Sequence, residues 1–161
     1  MKHRKIIDNI LGWLVAGLMG ILVLTVLWQV VSRLVVGDPS AFTDELAGFL
    51  LIWVGLMGAA YVTGRKQHLA IDLISAKLSV QNKKVLDTVI NTLIAIFAIV
   101  VLMGGGSNLV FLTLYLDQTS SVLQLPVGYV YTVLPISGIF ITYYAITDII
   151  IIWRKQALQG S

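Results

Sequence analysis

Four long apolar runs constrain this chain more than any other feature of its sequence. A bilayer hydrocarbon core of about 30 Å takes roughly 20 apolar residues in a helix that rises about 1.5 Å per residue. Four stretches reach that length, at about 10–32, 44–63, 85–115 and 126–153. Charged clusters bracket them. Lys2-His3-Arg4-Lys5 and Arg33 enclose the first, Thr43-Asp44-Glu45 and Arg65-Lys66 the second, and Lys83-Lys84 and Asp117 the third; the fourth stops at Arg154-Lys155. Only 12% of the 161 residues are charged and 58% are hydrophobic. A soluble domain of this size buries too little of its surface to hide that much apolar material. A soluble enzyme, a nucleic-acid binder and a disordered tail are therefore excluded. The expected fold class is all-α integral membrane, a single membrane domain over 1–161. The last two runs exceed the minimum length and should tilt or protrude.

The basic start followed by an apolar run imitates a secretion signal. The run is longer than a signal's apolar region and no small-residue cleavage site follows it, so it should remain as an anchoring helix. The distribution of cations predicts orientation. With four spans, both termini and the 64–84 loop share one side, and of the eleven Lys and Arg only Arg33 falls on the other. By the positive-inside rule both termini are cytoplasmic. Within the 64–84 loop, Ile71, Ile74 and Leu78 follow helical spacing while Asp72, Ser75 and Ser79 share another side. This predicts a short interfacial amphipathic helix at about 69–79, with Lys77 towards lipid headgroups; a solvated loop is the alternative.

Turn and helix signals fit these boundaries. Gly37-Asp38-Pro39-Ser40 reads as a turn, with Thr43 or Asp44 as the N-cap of the second helix. Pro126 is expected in the first turn of the fourth helix, and Pro135 inside it should bend it. Gly104-Gly105-Gly106 either weakens the third helix or lets a neighbour approach. Ala16/Gly20 and Gly55/Ala59 are small-xxx-small pairs, suited to close packing within the chain or against another subunit. Arg33 and the pair Asp44-Glu45 lie across a short loop, so an Arg33–Glu45 or Arg33–Asp44 ion pair is expected. Separate solvated charges are the alternative. Trp13 and Trp153 read as interfacial anchors, whereas Trp28 and Trp53 lie within apolar runs.

The middle of every span lacks an ionisable side chain, which is the usual mark of an ion or proton path. Thr25 and Gln29, Tyr61 and Thr63, and Asn91 and Asn108 supply most of the polarity, and Asp148 should sit near the cytoplasmic surface. There is no cysteine, and His68 has only His3 as a companion, so His68 reads as a lipid-headgroup contact. No catalytic, cofactor or metal site is predicted. Asp38, Asp44, Asp117 and Gln118 mark short external loops, available to a soluble partner or serving only as connectors.

Two stretches resemble a known family. The first is Asp44-Glu45-Leu46, then Phe49-Leu50-Leu51-Ile52-Trp53-Val54-Gly55-Leu56-Met57-Gly58-Ala59-Ala60, running on to Arg65-Lys66-Gln67-His68-Leu69-Ala70-Ile71-Asp72. The second is Gln118-Thr119-Ser120-Ser121-Val122-Leu123-Gln124-Leu125-Pro126, followed by Tyr131 and Leu134-Pro135-Ile136-Ser137-Gly138. In order and spacing they resemble the DctQ-like small membrane subunits of tripartite ATP-independent periplasmic (TRAP) transporters. The resemblance implies a non-catalytic, multi-pass subunit of the bacterial inner membrane. Such a subunit braces a large DctM-like subunit, which carries the organic-acid and sodium sites, and helps dock a periplasmic substrate-binding protein. Membrane lipids are its remaining partners. The resemblance makes Arg33, Glu45, Trp53, Gly58, His68, Asp72, Pro126 and Pro135 interface or structural residues. Asp44 stands where the family often has a glutamate. The competing readings are a free-standing four-helix transporter working as a homodimer, and a structural subunit of another inner-membrane complex. The first would need a membrane-embedded acid in the first span, which has none after Asp8.

Overall fold

The computed structural model describes residues 2–36, 40–65 and 80–157. It confirms an all-α protein with four long apolar helices. Helix α1 runs Lys2–Val31 and ends in a π-helical turn, Ser32–Val36; α2 runs Ala41–Arg65. The third crossing is α3 (Val80–Phe97), a π-helical stretch Ala98–Gly105, and α4 (Gly106–Tyr115). The fourth is α5 (Val127–Tyr131) followed by α6 (Val133–Ala157). The expected interfacial helix at 69–79, with His68 and Asp72 beside and within it, lies outside the described residues, as does Asp38.

Local chemistry accounts for departures from the sequence reading. Helix α2 starts at Ala41, so its flanking residue is Ser40 rather than Thr43 or Asp44. The Ser40 carbonyl accepts from Thr43 N–H at 3.1 Å, Asp44 N–H at 3.3 Å and Thr43 Oγ1 at 2.9 Å. Pro126 does not lie inside the first turn of the fourth crossing. It precedes α5 in an extended conformation, φ −61° and ψ 116°. Pro135 occupies the first turn of α6, and the break falls upstream at Thr132, where the chain must accommodate a ring that would clash with the carbonyl four residues back. Trp53 on α2 supports the broken segment, its indole N–H donating to the Val130 carbonyl at 3.1 Å.

Packing follows the order α1–α2–α6–α3, each helix resting on the next, and the π-helical stretch also lies on α6. Glycines set the closest approaches. A Cβ at Gly138 would come within 2.8 Å of Met103 and 3.0 Å of Leu102 in the π-helical stretch, and one at Gly106 within 2.7 Å of Leu134. Within the glycine run 104–106 only Gly106 permits contact with another helix; Gly104 and Gly105 are exposed at the end of the π-helical stretch. Leu11, Met57, Val133 and Tyr144 form one buried cluster, and Ala60, Ala98, Leu102 and Ile141 a second.

The fourth crossing is the most enclosed, with 33% of its apolar window buried against 11% for the first. Its all-round apolarity thus reflects packing between α2 and α3 as well as contact with the surroundings. The small-residue pairs face the other way. Ala16, Gly20, Gly55 and Ala59 are exposed, and a Cβ at Gly20 or Gly55 would meet nothing within 4 Å. They do not pack the chain against itself.

Candidate functional site

Polar side chains gather at the two ends of the helix row. At the end carrying the short loops, Glu45 stands in the second turn of α2. Its carboxylate accepts three consecutive backbone N–H groups, from Ser121 at 3.1 Å, Val122 at 3.0 Å and Leu123 at 2.8 Å. Loop 116–126 is shaped to present them. Asp117 and Gln124 take positive φ values of 48° and 55°, and Thr119 pairs with Pro126 in an isolated antiparallel bridge. Ser120 N–H donates to the Leu125 carbonyl and Val127 N–H to that of Gln118, both at 2.9 Å. A carboxylate acceptor strengthens each bond to a backbone N–H, so Glu45 fastens the loop to α2. Asp117 and Gln118 remain exposed on the fastened loop. So do Tyr115, Leu116, Val122 and Leu125, giving the end a mixed polar and apolar surface.

The expected ion pair of Arg33 with Glu45 or Asp44 is not formed. Glu45 is engaged by the loop, and Asp44 accepts from Gln29 Nε2 of α1 at 2.8 Å, while Arg33 is exposed in the π-helical turn. The α1–α2 connection is thus made by an amide and a carboxylate one helical turn before the arginine. Trp53 and Pro135 lie at the break at Thr132, the first bonded to Val130 and the second in the first turn of α6, whereas Pro126 stands at the start of α5 and pairs with Thr119. Gly58 is half-buried, with space beyond it.

The opposite end holds a cluster that the sequence reading missed. Arg4 Nη1 lies 2.6 Å from Asp148 Oδ1, and Arg4 Nη2 donates to the Gly64 carbonyl at 2.6 Å. The Tyr144 hydroxyl donates to Asp8 Oδ1 at 2.5 Å, and the Arg4 guanidinium sits 5.4 Å from the centre of the Tyr144 ring. Tyr144 is fully buried, and a Cβ at Gly64 would come within 2.6 Å of its ring. This cluster ties α1, α2 and α6 together and satisfies the carbonyl near the end of α2. Two sequence signals pointed to it: Asp148 is an acid inside the fourth apolar run, and Arg4 and Asp8 are four apart on one face of α1. Neither end presents an array of groups converging on an open reaction centre, and among the described residues no group of His, Asp or Glu is placed to hold a metal.

Comparison with known proteins agrees with this architecture. Residues 22–155 match the family model described as tripartite ATP-independent periplasmic transporters, DctQ component. The chain is 35% identical over 136 residues to the sialic acid TRAP transporter small permease protein SiaQ of Vibrio cholerae, covering 81% of this chain and 79% of that one. It is 23% identical over 144 residues to a putative TRAP transporter small permease protein of Haemophilus influenzae, covering 89% and 88%. A third relative is the isethionate TRAP transporter permease protein DctMQ of Oleidesulfovibrio alaskensis. It is 28% identical over 144 residues, but the match takes up only 22% of its length and 80% of this chain. The segment corresponding to this chain is there a minor part of a longer permease polypeptide. A multi-pass membrane chain of four apolar helices, matched along most of its length in this way, belongs to the DctQ family and is the small permease subunit of a TRAP transporter rather than an enzyme.

Proposed function

We propose that this subunit acts as a brace in the bacterial inner membrane, with both termini cytoplasmic. In this reading it holds a large DctM-like subunit, which carries the organic-acid and sodium sites, and contributes part of the surface on which a periplasmic binding protein docks. The outward-facing glycines carry the reading. Where this chain packs on itself it uses Gly64, Gly106, Gly128 and Gly138, each crowded by a neighbouring helix. Gly17 and Gly20 on α1, and Gly48 and Gly55 on α2, face open space instead. Small residues on a membrane helix let another backbone approach closely, and the exposed set lies on α1, the least buried crossing, and on α2 beside it. The helices of a larger partner account for that face. The relatives named for sialic acid and isethionate support an organic acid as the transported species. Loop 116–126, fastened by Glu45 and exposing Asp117 and Gln118, is the part of this chain assigned to docking.

Co-expression with the large subunit tests the reading. Wild-type chain should co-purify in mild detergent, and Gly20→Leu with Gly55→Leu should abolish recovery of the complex while the isolated subunit keeps its helical content. Full recovery of the double variant in complex would remove the α1–α2 face from the interface.

A further inference from the structure

A groove of about 280 Å³ opens between α1 and α2 at the end of the row that carries Arg4. Asp8 and Asn9 border it on α1, and Tyr61 and Arg65 on α2. Gly12 sets its depth, because a Cβ there would stand 3.1 Å from the Tyr61 ring. The Arg65 guanidinium lies 4.9 Å from the centre of that ring. Trp13, 82% exposed, and Ala16 continue the wall along α1 towards the middle of the span. Beyond them Gly17 and Gly20 leave the helix surface shallow. The groove thus runs from charged to apolar along the helix axis, and at the charged end it holds both signs.

We infer that this groove binds one glycerophospholipid with a zwitterionic, primary-amine headgroup. Arg65 and the Asn9 amide meet the phosphate, the Asp8 carboxylate accepts from the ammonium, and Trp13 and Ala16 carry the glycerol and the start of an acyl chain. Aromatic side chains concentrate at headgroup depth, where Trp13 and Tyr61 stand. The volume is just under the roughly 300–1,000 Å³ of sites that enclose whole small molecules, and suits a headgroup whose tail lies outside.

Charge selects among lipids. Arg4 is paired with Asp148, and among the described residues lining the groove Arg65 and Asp8 supply one cation and one anion. A phosphatidylglycerol headgroup carries its one negative charge on the phosphate and brings no cation to the Asp8 carboxylate. A choline headgroup has no N–H to donate, whereas an ammonium has three. Tyr144 occupies Asp8 Oδ1, and a carboxylate retains further acceptor sites.

Native mass spectrometry of the full chain, released from mild detergent with phosphatidylethanolamine, phosphatidylcholine or phosphatidylglycerol added, tests the assignment. Phosphatidylethanolamine should be retained at collision energies that strip the other two. Arg65→Ala should lower its bound fraction about five-fold, the loss expected of one partly exposed charge contact, and Arg65→Lys should retain most of it. Trp13→Leu, at a position too exposed to hold the fold, should lower retention of phosphatidylethanolamine while the melting temperature stays fixed. Equal retention of the three lipids, preference for phosphatidylglycerol, or full retention by Arg65→Ala would each overturn the assignment.

Discussion

Arg4 and Asp148, separated by 144 positions in sequence, meet at 2.6 Å and join the first turn of α1 to the second half of α6. Their side chains are 15% and 5% exposed, so the pair is largely removed from water. A buried pair adds little net stability over an apolar replacement, but leaving one partner alone is costly. Arg4→Ala should therefore destabilise the subunit by about 3 kcal/mol, because it takes the guanidinium away from both the Asp148 carboxylate and the Gly64 carbonyl. Arg4→Ala with Asp148→Ala should recover part of the loss. Unfolding of the four variants in mixed detergent, read as a double-mutant cycle, checks this; additive losses would mean that the two side chains act independently.

Two glycine substitutions should behave oppositely. Gly64→Ala places a methyl group 2.6 Å from the Tyr144 ring, and that ring is held by Asp8 and Arg4. Overpacking of this kind costs about 1–3 kcal/mol, and the melting temperature of the isolated subunit should fall. Gly55→Ala meets nothing within 4 Å. It should leave that temperature unchanged or raise it, since alanine favours the helix by up to about 1 kcal/mol.

Glu45 holds loop 116–126 chiefly through three backbone N–H groups. Hydrogen exchange resolved at single amides should quicken at Ser121, Val122 and Leu123 in Glu45→Ala, with a smaller effect in Glu45→Gln, which keeps one acceptor oxygen. The Ser120 amide, bonded to Leu125 within the loop, should change less.

Trp53→Phe keeps an aromatic ring beside α5 but removes the donor to the Val130 carbonyl. A single hydrogen bond of this type contributes about 1 kcal/mol, and the variant should unfold that much more easily. A larger loss would show that the broken turn at Thr132 depends on the indole for its geometry.

In the assembled transporter, Asp117→Lys should weaken capture of the periplasmic binding protein without reducing co-purification of the two membrane subunits. Surface plasmon resonance on the complex in lipid discs measures the first effect, and gel filtration the second. Unchanged capture would take Asp117 out of the docking surface.

The four crossings were legible because apolar runs of membrane length leave the backbone one simple way to satisfy its hydrogen bonds. Polar contacts at the row's ends were less so. Glu45 was singled out, but with the wrong partner: charge pairing suggested Arg33, whereas backbone N–H groups have no residue type and leave no trace in a sequence. Asp44 likewise found the neutral amide of Gln29. In the sequence Arg4 stands out only as one of the cations that set orientation. Its bond to Asp148 depends on how α1 and α6 converge, which spacing along one chain does not specify. The small-residue pairs were visible as motifs, but only the packing order revealed that they face outward.

The packing order α1–α2–α6–α3 brings α1 and α3 into no extended contact. Helix α1 leans on α2 and reaches α6 through Arg4 and Asp8, while α3 stands against α6, so the described helices form an open row rather than a closed ring. A solute-sized bore would require another element to bend the row into a ring. Standing in a row also gives the chain a broad reach for its mass.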